Sequence, residues 1–332
     1  MWTATITEPK LRRLPLAPGA GNPIHDLLDA VGLPWRESLT SLNSRVGVSD
    51  HPIFAETVFA FPHVALVPGL LWPIATGGSR TPPDGPRAAL PAVSFSGYVW
   101  LSTDARANIE QTAVSLAERL GPATIERSGN VLGGGWAAGP AEIRLTVWPP
   151  EWQDPGGYNI STAREPRYRE ACHISIRPGY RPPLTDEERR WIDEFTALGT
   201  LKRGADTEEQ LRDTPSVGHA LEYMREPPAR AAHLLRRIGH AAERRVLIFC
   251  AEQLYVIPVA DIVAFRTIRV LPAKGSGGSF LVVECRHQGV DGSPTSILCD
   301  HGPGPDDMNE LCSECGRLFG TPALPGEYHP DL

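Results

Sequence analysis

The sequence predicts an α+β protein in two parts: an N-terminal α+β domain built on an antiparallel sheet, and a C-terminal bent antiparallel sheet capped by a helix. Three observations carry that prediction. Residues 141–148 alternate apolar and polar side chains with the period of two that a half-buried strand requires, and Cys172, Ile174 and Ile176 repeat the pattern. Between Arg245 and Gly320, five short β-branched and aromatic runs precede one amphipathic stripe. The chain is 332 residues long, 41% hydrophobic and 21% charged, an ordinary globular composition with material for about two cores.

Taken in order, residues 1–22 are rich in Pro and Gly and predict an irregular arm. Short helices follow over 24–31 and 35–45, with Leu39, Leu42 and Val46 inward and Gly47 as the stop. Residues 51–92 read as short strands and loops, with 77–86 an exposed loop. A strand at Tyr98–Leu101 leads to a helix over 104–120, buried through Ile109, Ala113, Leu116 and Leu120 and ended by Gly121-Pro122. Strands are expected at 123–128, 130–138 and 141–148, and Gly133–Gly135 reads as a hairpin turn, since no Lys-Ser/Thr follows to make a phosphate cradle. Thr185 and Glu188 have the spacing of a capping box and open a helix with Trp191, Ile192, Phe195 and Leu198 on one side. The first domain is thus expected over 1–198, a charged and Gly/Pro-containing linker over 199–228, and the second domain over 229–332, opening with a helix over 229–242 that turns Ala231, Leu234, Leu235 and Ile238 inward.

In the C-terminal part, 245–250 and 254–258 form a hairpin across Ala251–Gln253, a third strand runs from Ile262 to Leu271, and 280–285 pairs with 295–299. Met308, Leu311, Cys312, Cys315, Leu318 and Phe319 fall on one helical stripe that stops at Gly320. This order of strands with a closing helix resembles the pleckstrin-homology-like fold, and Tyr255-Val-Ile-Pro-Val-Ala-Asp-Ile-Val263 is similar to the passage between the second and third strands of its bacterial members.

Composition excludes several function classes. A net charge of −7 argues against a nucleic-acid surface, which shows a basic excess. No stretch approaches the roughly 18 apolar residues of a membrane span, and the N-terminus lacks the charged and apolar regions of a secretory signal. The six cysteines fall mostly on predicted strands and helix stripes, where thiols act as small core hydrophobes, so a reducing cytoplasm is expected. Phosphoinositide binding is disfavoured too. From 287 to 332, Asp291, Asp300, Asp306, Asp307, Glu310, Glu314, Glu327 and Asp331 face a single base, Arg317, and would repel an anionic membrane.

No nucleophile elbow, zincin motif or paired catalytic acids appear. Cys299, His301, Cys312 and Cys315 have the ligand chemistry of a zinc site, but the last two sit on the apolar helix stripe, so core thiols are expected and no metal or cofactor. Cys172 and His173, as strand neighbours, point to opposite faces and cannot act on each other. Binding chemistry is better represented. Trp148, Trp152 and Tyr158 are residue types that dominate contact hot spots, Arg144, His173 and Arg177 share the sheet face beside them, and Asp306 and Asp307 lie in the acidic run.

Finally, the stretches Trp35-Arg-Glu-Ser-Leu39, Val147-Trp-Pro-Pro-Glu-Trp152 and Ala171-Cys-His-Ile-Ser-Ile-Arg177 resemble bacterial immunity proteins that accompany polymorphic toxins. The resemblance implies a non-enzymatic cytoplasmic protein that binds and neutralises a cognate toxin in bacterial competition. The acidic balance adds that the partner is basic. Two alternatives remain open: an adaptor or chaperone that loads an effector onto a secretion machine, and an enzyme with an unrecognised, zinc-dependent site.

Overall fold

A computed structural model describes residues 9–16, 21–45, 48–50, 57–61, 63–77, 89–128, 131–147, 170–214, 220–271, 277–288 and 294–330. The chain divides into two units, Met1–Tyr180 and Arg181–Leu332. Both are α+β, with mainly antiparallel sheets.

In the first unit the elements run β1 (Arg12–Arg13), α1 (Pro23–Ala30), α2 (Leu39–Arg45), β2 (Val48–Asp50), β3 (Thr57–Phe61), β4 (Leu70–Gly77), β5 (Phe95–Val99), α3 (Ala105–Leu120), β6 (Glu126–Ser128), β7 (Val131–Ala138), β8 (Ala141–Val147) and β9 (Cys172–Arg177). Among the described residues they build one nine-stranded sheet in the order β1-β7-β8-β9-β5-β4-β3-β2, with β6 also on β7. The order is two meanders, β2 to β5 and β6 to β9, joined at one seam where Phe95 pairs with Ile176 and Val99 with Cys172. Helices α1 and α3 pack on the face formed by Trp136, Ile143, Leu145, Ile174 and Ile176. Local chemistry fixes the helix starts. Asn22 accepts from the amides of Ile24 and His25 with Pro23 at the first helical position, and Asp104 caps α3.

The sequence expectation holds closely for 104–120, 126–147 and 172–177. The arm does not. Its residues Arg12–Arg13 pair in parallel with Trp136–Ala137. Gly133–Gly135 is not a turn either, because it lies inside β7. A Cβ at Gly134 would overlap the Thr124 carbonyl oxygen, so glycine is needed for a close backbone approach rather than a reversal.

In the second unit the elements are α4 (Asp186–Asp193), β10 (Thr196–Thr200), α5 (Glu208–Asp213), β11 (Met224–Arg225), β12 (Arg237–Ala241), β13 (Val246–Cys250), β14 (Leu254–Pro258), β15 (Ile262–Leu271), β16 (Gly278–Gln288), β17 (Pro294–Gly302), α6 (Asn309–Phe319) and β18 (Ala323–Pro330). Among the described residues two sheets result, β10-β12-β13-β14-β11 and β17-β16-β15-β18. The unbroken apolar run Val246–Cys250 is explained by burial on both sides. Leu247 and Phe249 enter the core shared with α6 and the four-stranded sheet, whereas Val246, Ile248 and Cys250 enter a second core with Leu184, Ile192, Leu211 and Leu234. The five expected strands and closing helix between Arg245 and Gly320 are present, and Gly320 ends α6 in the left-handed conformation (φ 64°).

Four expectations need correction. The first unit ends at Tyr180 rather than 198. The helix opened by the Thr185/Glu188 capping box stops at Asp193, and Thr196–Thr200 is a strand of the second unit. The linker expected over 199–228 is not one where it is described, 199–214 and 220–228, because Leu201, Ala205 and Leu211 are buried in the unit's cores. The expected helix over 229–242 is instead a series of turns followed by β12, paired on both sides with β10 and β13. Gly239 permits this: a Cβ there would strike the backbone of Thr196 and Ala197 on β10. Tertiary pairing overrides a spacing of apolar residues that also fits a helix.

Candidate functional site

The polar face of the first sheet is built by β5, β8 and β9. Antiparallel register sets Glu142 opposite Arg177, Arg144 opposite Ser175, and His173 between Thr146 and Tyr98. Arg144, His173 and Arg177 therefore share a face, as period-two alternation required. Their chemistry differs from the expectation. Glu142 is buried, and its carboxylate accepts from Arg144 Nη2 at 3.2 Å and faces Arg177 Nη1 at 3.3 Å, so both cations are committed to one internal anion. The His173 ring packs against Tyr98 with centroids 4.9 Å apart, and burial pushes its pKa down to about 4, leaving it neutral at pH 7. Trp148, Trp152 and Tyr158 lie outside the described residues.

Much of the acidic run is also engaged within the protein. Asp300 is buried, and its two oxygens accept from the Lys202 and Arg203 amides at 3.0 and 2.8 Å. Asp306 pairs with Arg269 and accepts from Tyr328 Oη at 3.1 Å and Asn309 Nδ2 at 2.9 Å, while the Arg269 guanidinium lies 3.7 Å over the Tyr328 ring. Arg269 holds the Asp306 carboxyl below its usual range. Asp307 accepts from the Gly304 amide at 3.1 Å and from Lys202 Nζ at 3.2 Å, and the same two groups, the amide first, lower its pKa. Asp306 and Asp307 are thus fasteners for the turn before α6 and for β18, not a free acidic face.

The four candidate zinc ligands do not converge. Cys299, Cys312 and Cys315 point into the core with Cys285. His301 is exposed and stacks on Phe280, 6.1 Å away, on the opposite side of the sheet. Burial pushes Cys285 and Cys315 up to about 12, so these thiols are protonated packing groups. Among the described residues no three His, Cys, Asp or Glu side chains gather as metal ligands.

Sequence reasoning missed the outer face of the four-stranded sheet. Thr267 faces α6, hydrogen-bonding Asn309 at 3.2 Å, and Phe265, Leu281 and Val283 share its side in the core. The alternate residues must point away. Register aligns Ile268 with Phe280, Val282 with Leu298, and Arg266 with both Val282 and Leu324. The result is a mixed surface in which Arg266, paired with Glu284 at 2.6 Å, sits between Val282 and Leu324, and on which Ile268 and Leu324 remain 39% and 38% exposed. The signal was present in Phe280-Leu-Val-Val283, apolar in both phases of a strand, on a sheet with one helix to cover it. Among the described residues no helix is long and apolar enough to cross a membrane.

Comparison with protein-family models and with curated proteins returns no match.

Proposed function

We propose that this chain is a non-enzymatic immunity protein that binds and neutralises a basic toxin acting in the cytoplasm, and that its second unit is a pleckstrin-homology-like module serving protein recognition. The observation that carries the reading is the outer face of β15, β16, β17 and β18, where Ile268 and Leu324 stay open beside the Arg266–Glu284 pair, because neighbouring exposed apolar side chains rimmed by polar ones favour an interaction surface. The net charge of −7 favours a basic partner by steering and complementarity. The hairpin β13–β14, the meander β15–β17 and the closing helix α6 support the module reading.

The test is affinity capture of the tagged protein from its own cytoplasm at moderate salt, with mass spectrometry of the retained proteins, followed by growth protection against the captured partner. One basic partner encoded beside the gene, with protection lost in Ile268→Glu, is the expected result. Ile268 is exposed enough for the charge to leave folding intact, which circular dichroism checks. Stable capture of a toxin's transport domain without protection would replace immunity by effector loading, and no retained partner would end the proposal.

A further inference from the structure

The second unit holds a half-open cleft of about 390 Å³ between the loop entering α4, the end of α4 and the segment after β11. Its floor is apolar, made by Leu184 and Ile192, which are 6% and 3% exposed, with Pro227 and Pro228 as further lining. Its charged lining residues are Asp193, Glu226 and Arg189. Arg189 is already paired with Asp186 at 2.9 Å. Arg181, whose charge reaches Glu226, donates instead to the carbonyl oxygens of Arg212 and Thr214. Asp193 and Glu226 have no ion pair or side-chain hydrogen bond among the described residues, whereas Glu188, Glu208, Asp206 and Glu252 in the same unit are each matched to an arginine.

The cleft is also preformed. The capping box fixes the start of α4, and the same Glu188 carboxylate accepts from Arg225 Nε at 2.8 Å. Arg225 Nη1 in turn donates to the carbonyls of Glu222 and Met224. Glu226 N donates to Pro182 O at 2.8 Å, and Glu208 receives the amides of Ala231 and Ala232. Both walls are therefore tied to one another before any ligand arrives, which lowers the ordering cost of binding.

We infer that this cleft takes the guanidinium side chain of an arginine presented by a protein partner. An aliphatic stem fits the Leu184 and Ile192 floor while the charged head stays at the mouth. A planar, weakly hydrated guanidinium packs on flat proline faces and donates charge-assisted hydrogen bonds to unpartnered carboxylates, which a compact, strongly hydrated ammonium does less well. The identity of the partner rests on the toxin-binding reading, but the guanidinium preference rests on the cleft alone.

The test uses the full chain with labelled Ile and Leu methyls, titrated with Nα-acetyl-arginine amide, its neutral citrulline analogue and the lysine counterpart. Expected are saturable shifts at Ile192 and Leu184 with the arginine compound, none with citrulline, weaker ones with lysine, and affinity reduced about tenfold or more in Asp193→Asn/Glu226→Gln. No saturable shift, equal response to citrulline, equal response in the double variant, or lysine binding as well as arginine overturns the inference. Both substituted side chains are exposed and isosteric, so unchanged methyl signals elsewhere certify the fold. Capture of the basic partner is measured separately. Equal capture by wild type and double variant overturns the cleft's role while leaving the functional reading, and arginine binding without any captured partner does the reverse.

Discussion

Asn108 offers the sharpest test of how the first unit is held together. Its side chain is fully buried, and each hydrogen-bonding position of the amide is used. Oδ1 accepts from the Leu101 and Ser102 amides at 2.6 and 2.9 Å, and Nδ2 donates to the carbonyls of Ser102 and Glu170 at 2.7 and 2.6 Å. One residue on α3 thus anchors the turn that enters its own helix and the approach to β9. Taking about 1 kcal/mol net per bond, Asn108→Ala should cost about 4 kcal/mol. That is a large share of the ~5–15 kcal/mol available to a domain. Urea titration followed by tryptophan emission is the assay, since seven of the eight tryptophans belong to Met1–Tyr180. Asn108→Asp separates bonding from bulk: it sets a carboxylate oxygen against the Ser102 and Glu170 carbonyls, so the folded state favours the protonated acid and raises its pKa. The stability this acid contributes is present below the unfolded carboxyl's pKa of about 3.9 and is lost as pH rises through the folded value, making the variant worse than Asn108→Ala at pH 7. A loss below about 1 kcal/mol in the alanine variant, or no pH dependence in the aspartate variant, would refute the reasoning.

Three further outcomes are expected. Ala242, Glu243 and Arg244 form a turn with φ of 50°, 54° and 68°, so Glu243→Gly should stabilise the second unit by up to about 1 kcal/mol in thermal unfolding, after the entropic cost of glycine. His173, with its pKa pushed down to about 4 against about 6.5 when unfolded, gives stability that is present above pH 6.5 and lost as pH falls toward 4; His173→Phe should flatten that slope in urea titrations, and an unchanged slope would show the histidine to be uninvolved. All six thiols are buried, so Ellman's reagent at pH 8 should react at the rate of unfolding and reach six equivalents only in denaturant. A fast equivalent in native buffer would contradict the burial.

Features written locally were legible from the sequence. The Thr185/Glu188 capping box forms as spaced, with both reciprocal bonds, and alternation through Ala141–Val147 and Cys172–Arg177 gives the correct inward faces. What depends on distant partners was not. Ala231, Leu234, Leu235 and Ile238 suit a helix, and only pairing with β10 and β13 makes Arg237–Ala241 a strand. No strand was expected after α6, yet Ala323–Pro330 forms β18, an edge strand, where Pro325 and Pro330 are tolerated. At the candidate site, the shared face of Arg144, His173 and Arg177 followed from periodicity. Their capture by Glu142 did not, because it needs the cross-strand register Glu142–Arg177. The cleft was invisible for the same reason: Asp193 and Glu226 are far apart in sequence and meet only through folding.

The single seam in the nine-stranded sheet bears on how the first unit comes into being. Each meander pairs strands that are neighbours in sequence, whereas the pairing of Phe95–Val99 with Cys172–Arg177 closes a longer loop that takes in α3 and β6 to β8. During synthesis the β2–β5 half therefore emerges with a strand edge that has no mate until β9 has left the ribosome. Until then β5 is an exposed template for mispairing, and the speed with which the second meander docks sets how long that hazard lasts.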